Sequence, residues 1–306
     1  MRAAAFTLAC ALLVAVLPLR AASGVEVVAS IAPIQSLVAK VMQGAGDPYL
    51  LLPPGTSPHD HALRPSDAAA LERATLVFWI GPLLEPWLER PLATLATGAL
   101  VIRLTDTPGL TRLARREGAA FEAHDHGAGP AARSDDETDP HLWLDPANAK
   151  LWLSAIADTL AVADPDNRAL YLANAAAARA ELDALTAEID TQLAPFRGRP
   201  FIVFHDAFHY FENRFGIEAA GAVALSDARA PGPARISEIR DRIRTLNAVC
   251  LFREPQFRAA LVTTVAEGTG VRIGQLDPLG ASLQPGPGLY RELLRGLATG
   301  LSDCLG

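Results

Sequence analysis

The stretch DPDNRALYLANAAAARAELDALTAEIDTQLAPF, Asp164 to Phe196, reads as one long helix. Asp164 suits an N-cap and Pro165 the first helical position. Apolar or small side chains recur at Tyr171, Ala175, Ala178, Leu182, Leu185, Ile189, Leu193 and Phe196, a single face at helical spacing. No Gly or Pro breaks the run between Pro165 and Pro195. At 1.5 Å per residue it would span roughly 45 Å, too long for one small domain. On both sides the chain alternates short β-branched runs with helical runs. The expected fold class is therefore α/β, two lobes (24–163 and 197–306) with parallel sheets, joined by a stiff rod over 164–196. The competing expectation is one amphipathic helix inside a single domain. His141 precedes the rod and His205 follows it, so a ligand held between the lobes would reach both.

Residues 1–23 read as a secretory signal peptide. Arg2 precedes an apolar run that ends at Leu17, and small residues Ala21, Ala22 and Ser23 mark a cleavage region. The run is shorter than the ~20 apolar residues of a membrane span. Cys10 comes too early in it for a lipid-attachment site. Removal of Arg2 and Arg20 leaves 25 basic and 34 acidic residues, a net charge of −9. An acidic chain without a basic run is a poor partner for nucleic acid and attracts cations. Of three cysteines, Cys250 and Cys304 remain after cleavage. In an oxidising compartment they are expected to pair, tying the last helix to a strand.

Moving outward from the rod, the N-terminal half alternates strands at 25–30, 49–52, 75–80 and 100–104 with helical segments at 33–43, 66–71 and 83–95. That order implies a parallel sheet. Pro53 to His61 is a Pro- and Gly-containing loop. Gly118 to Asp139 breaks the pattern: it is rich in Ala, Gly, Pro and acids and contains His124 and His126, the composition of a surface loop. Asp145 is expected to cap the next helix, with Pro146 at its start. After the rod, strands are expected at 201–204, 218–223, 249–252 and 271–275, with helices at 237–246, 257–267 and 289–301.

His59, His205 and Asp277 each fall just beyond the C-terminal end of an expected strand, and His141 falls at a helix start. Parallel sheets bind ligands beyond those strand ends. Two lobes facing each other would thus gather three imidazoles and one carboxylate, a donor set suited to tetrahedral Zn²⁺. Calcium or magnesium would ask for more oxygen ligands. His61, two residues from His59, and His209, one helical turn past His205, are lesser candidates. Trp143 and Phe208 read as core; Trp79, Trp87 and Trp152 read as core or lobe surface.

These motifs carry a resemblance. Ser57-Pro58-His59-Asp60-His61 through Asp67, Pro140-His141-Leu142-Trp143-Leu144-Asp145-Pro146, and Phe204-His205-Asp206-Ala207 with Tyr210-Phe211 resemble the three metal-ligand motifs of the periplasmic zinc-binding proteins of ABC importers. Glu254-Pro255-Gln256-Phe257 and Leu276-Asp277-Pro278-Leu279-Gly280 resemble that family's C-terminal lobe. The likeness runs from Val27 to Cys304. It implies two (βα)₄ lobes joined by one long helix, with the metal in the cleft between them. It also implies ligand roles for His59, His141 and His205, with Asp277 or a water in fourth place. The cargo would be zinc, the partner an ABC permease and the compartment the periplasm. The protein would not be an enzyme and would act as a monomer. Two departures stand out. Pro58 occupies a position where some relatives carry an acid. The 118–139 loop holds only His124 and His126, so an auxiliary metal site there, or a periplasmic metallochaperone docking on it, is an open expectation.

Rival readings are manganese or iron binding on the same scaffold and a secreted zinc hydrolase. The manganese-type relatives tend to place a carboxylate where this chain has His205. For the hydrolase, no His-Glu-x-x-His helix or clearly placed general base is present. An adhesin or partner-binding role has no specific feature in its favour.

Overall fold

The computed structural model describes residues 25–116, 138–224 and 232–306. The expected signal peptide, and the 118–139 loop with His124 and His126 apart from its last two residues, lie outside them. Strands β1 (Val27–Ala29), β2 (Tyr49–Leu50), β3 (Leu76–Trp79) and β4 (Leu100–Arg103) form a parallel sheet in the order β2-β1-β3-β4. They are linked through α1 (Ala32–Met42), α2 (Pro65–Arg73) and α3 (Pro86–Leu95). Then come α4 (Pro146–Ala163) and the long α5 (Arg168–Leu193). A second parallel sheet follows, β5 (Phe201–His205), β6 (Ala222–Ala224), β7 (Cys250–Arg253) and β8 (Arg272–Gln275), in the order β6-β5-β7-β8. Its helices are α6 (His209–Phe215), α7 (Pro233–Leu246), α8 (Ala259–Ala266) and α9 (Leu289–Leu305). Central strands β1, β3 and β5 are buried along their whole length, as expected of parallel strands covered on both faces, whereas edge strand β4 is mostly half-buried and edge strand β8 mostly exposed.

The rod is present with an altered start. Pro165–Asn167 form a 3₁₀ turn and the α-helix begins at Arg168. Asp164 does not cap the backbone; its carboxylate accepts from Asn167 Nδ2 and from the Tyr171 hydroxyl, both at 2.7 Å. The 26 residues of α5 span about 39 Å. Tyr171, Ala175, Ala178, Leu182, Leu185, Ile189 and Leu193 are all buried, and Phe196 is partly buried in a closing 3₁₀ turn. Their stripe packs on α4, α1 and α9. One continuous apolar core follows it from β1 to α9, while two smaller clusters lie under the remaining helices of the two sheets.

The lobes are therefore braced by more than the rod. On α9 the Tyr290 amide donates to Ser36 Oγ of α1 (2.9 Å), and its hydroxyl donates to the Trp143 carbonyl (2.5 Å). The Cys250–Cys304 disulfide joins β7 to α9, with Cα atoms 6.1 Å apart. Local boundaries moved where tertiary bonds compete. Pro65, not Ser66, opens α2, and Asp67 accepts from the Arg64 amide (2.9 Å). The strand expected at 218–223 shrinks to Ala222–Ala224. Upstream of it the Ile217 amide goes to the Glu212 carbonyl and the Ala219 amide to the Glu212 carboxylate. Asp145 caps α4 through the Ala147 amide (2.8 Å), with Pro146 at the first position. Among the described residues no helix is long and apolar enough to cross a membrane.

Candidate metal centre

Three elements bring the histidines together. His205 is the last residue of β5, a central strand, so register fixes its position. His141 sits immediately before the 3₁₀ turn Leu142–Leu144 that leads into α4. His59 rides on the irregular segment between β2 and α2. One nitrogen from each lies within 4.8 Å of the other two. The ring centroids stand 5.5 Å (His59–His141), 5.3 Å (His141–His205) and 6.4 Å (His59–His205) apart. Bonds of 2.0–2.1 Å in a tetrahedron need nitrogens about 3.4 Å apart, so a shift on the order of 1 Å would close the triad on an ion.

Carboxylates back the His141 and His205 rings. His141 Nδ1 lies 2.7 Å from Asp139 Oδ1, which also accepts the His141 amide at 2.9 Å. His205 Nδ1 lies 2.6 Å from Glu254 Oε1, and the His205 amide points to the same oxygen at 3.2 Å. Glu254 follows β7, the strand paired beside β5, and Gln256 Nε2 donates to its other oxygen (2.9 Å). Such a pairing makes Nδ1 the donor and turns Nε2 toward the cleft as the basic lone pair. His141 Nε2 is buried and has no hydrogen-bond partner. Burial holds the His141 imidazole well below its usual pKa, with His205, Arg115 and Arg116 adding to the effect, so it is neutral and able to ligate. Burial also lifts Asp139 to about 6.

The base of the 117–137 segment is pinned beside the site. Ala114 and Thr138 form an antiparallel bridge, and the Asp139 amide donates to the Leu113 carbonyl. The Tyr210 hydroxyl donates to the Asp139 carbonyl (3.0 Å) and accepts from the Leu113 amide (3.0 Å). Arg116 clamps Asp206, next to His205, and Glu212 (2.6 Å).

The remaining expectations divide. Asp277 does not join the histidine group among the described residues. Its carboxylate accepts from the backbone amides of Leu279 (3.3 Å), Ala281 (3.0 Å) and Ser282 (3.1 Å), shaping its own turn. That turn serves the site indirectly, because the Pro278 carbonyl accepts from Trp143 Nε1 (2.7 Å). His209 Nδ1 is 3.7 Å from Asp139 Oδ2, outside the triad. His61 packs edge-on against Trp87, with centroids 5.0 Å apart. Sequence reasoning missed the roles of Asp139 and Glu254. Asp139 had a local signal in its two-residue spacing from His141, whereas Glu254 is 49 residues from its partner.

The family model described as zinc-uptake complex component A, periplasmic, matches residues 27–304. The chain belongs to the ZnuA family. The high-affinity zinc uptake system protein ZnuA of Brucella abortus (strain 2308) is 48% identical over 304 residues, covering 91% of each chain. The ZnuA protein of Paracoccus denitrificans (strain Pd 1222) is 43% identical, covering 100% of this chain and 99% of its own. A crystal structure of ZnuA superimposes with a TM-score of 0.77 at 26% identity, over 92% of this chain and 99% of that one. The ZnuA likeness thus spans both sheets and the long helix.

Proposed function

We propose that this chain is a periplasmic solute-binding protein that captures Zn²⁺ and hands it to the permease of an ABC importer. The observation that carries the reading is the convergence of His59, His141 and His205, with the buried carboxylates of Asp139 behind His141 and Glu254 behind His205. Neutral nitrogen donors around a small cleft favour zinc over manganese, which prefers more carboxylate oxygen. His205 occupies the place that decides between those metals. The backbone hydrogen bonds to Asp277 favour a water in the fourth position. We take the lobes as 24–163 and 197–306 around the rod 164–196, with the segment 1–23 as the export signal.

The protein binds and releases its cargo without chemistry. Enclosure, rather than an open position with a general base beside it, suits a carrier. It is expected to act as a monomer, and the His124 and His126 segment is the natural place for an auxiliary ion or a metallochaperone. Metal analysis with X-ray absorption on the wild type and His205→Ala tests the reading. One zinc per chain with three imidazole nitrogens is expected, and it should be lost in the variant. Preferential loading with manganese, or a zinc shell without imidazoles, would overturn it.

A further inference from the structure

The three imidazoles are not held alike. His141 and His205 are buried at a helical turn and a strand end, with Asp139 and Glu254 beside them; His59 is half-buried on an irregular segment rich in Pro and Gly. An indole ties that segment to the N-terminal lobe. Trp87, in the first turn of α3, donates its Nε1–H to the carbonyl of Pro58 at 2.7 Å, one residue before the ligand. His61, two residues after the ligand, lays its ring edge-on against the same indole at 5.0 Å and 76°. His61 Nε2 is buried and makes no hydrogen bond, so this ring is placed by packing rather than by a polar partner. Trp87 therefore grips the segment on both sides of His59. It is itself only partly buried, and it bridges the two apolar clusters that lie against the N-terminal sheet.

We infer that Trp87, with His61 against its ring, is the latch that sets how long zinc stays bound, by holding the loop of His59 in the ligating position. The inference rests on the zinc-carrier reading above. Trp87 touches no ion and is a positioning residue. His141 and His205 keep their carboxylates when the latch opens, so an ion would remain on two imidazoles while the third swings away. Exchange would then need movement of one loop instead of separation of the braced lobes. Within the segment Thr56 donates to the Pro53 carbonyl, and the His59 amide donates to Ser57 Oγ (3.1 Å).

Zinc-loaded wild type, Trp87→Phe, His61→Ala, His59→Ala and the Trp87→Phe/His59→Ala double variant should be mixed with excess fluorescent zinc chelator, and release followed by stopped flow. Trp87→Phe keeps the ring and loses the N–H. It should release zinc about fivefold faster, the factor carried by one ordinary hydrogen bond. His61→Ala should act in the same direction by about twofold. In the His59→Ala background Trp87→Phe should add nothing, because there is no third ligand left to position. Amide exchange over 53–64 should quicken in Trp87→Phe while exchange in β5 stays unchanged. Release unchanged from wild type in Trp87→Phe, or an equal acceleration in the His59→Ala background, would overturn the latch while leaving the carrier reading intact. A wild type that holds no zinc would overturn both. Should Trp87→Phe fail to fold, His61→Ala decides alone: unchanged release and unchanged loop exchange would refute the latch.

Discussion

The two sheets repeat one strand order, β2-β1-β3-β4 and β6-β5-β7-β8, yet they deliver imidazoles by different means. The second sheet places His205 on its central strand β5, and the acid that orients it follows the adjacent strand β7. The first sheet offers His59, half-buried, from the irregular chain after its edge strand β2. A ligand set by register is positioned by the whole ladder of strand hydrogen bonds. One on a loop depends on a few side-chain contacts. Identical topology can thus supply one rigid and one adjustable donor to the same ion.

Breaking the rigid side should have the largest effect. His205→Ala is expected to abolish tight zinc binding, exceeding the ~100-fold upper end for loss of a supporting acid. Competition with a zinc chelator measures it, and near-wild-type affinity would mean that β5 register is irrelevant. Next in size is the bridge that belongs to the second sheet. Replacing Cys250 and Cys304 by Ala opens a loop with a sequence separation of 54 and should cost about 4 kcal/mol at the upper end, read by denaturant unfolding. The bridge lies between β7 and α9, so zinc affinity should change much less than stability.

A smaller loss sharpens the contrast. Glu254→Gln keeps the shape behind His205 but removes the negative charge, and should weaken zinc binding by about tenfold. Asp139→Asn should do the same through His141. Equal affinities in both variants and the wild type would show that ring orientation comes from packing alone.

The mildest probe is pH. Protons compete with zinc for neutral imidazole. Burial holds His141 below 6.5, so its share of that competition enters only under that value. Asp139, raised to about 6, loses its charge as pH falls through that value and stops drawing on the Nδ1 proton. Affinity should therefore be lower at pH 5.5 than at pH 7.5. Equal affinity at the two values would count against histidine ligation.

Much of the architecture was legible beforehand because it rests on periodicity. The buried positions from Tyr171 to Leu193 along α5 follow the helical spacing, and the alternation of elements anticipates parallel pairing in both sheets. What escaped was competition between local and distant partners. Asp164 has the composition of a cap, but Tyr171 and Asn167 take its carboxylate. Asp277 has the position of a ligand, and its carboxylate also accepts three amides of its own turn, a bond pattern that its spacing did not announce. Trp87 offered no sign of its bond to Pro58, 29 residues away.

Sequence alone determined the acidic chain, the rod, the two alternating halves and three histidines placed at strand ends or helix starts. These depend on residue type and short-range spacing, which a linear chain displays. Only the tertiary structure decided which acids stand behind His141 and His205, that α9 braces α1, and that an indole holds the loop of His59. Those choices depend on angstrom-scale distances between residues far apart along the chain. Propensity and pattern carry no record of such distances.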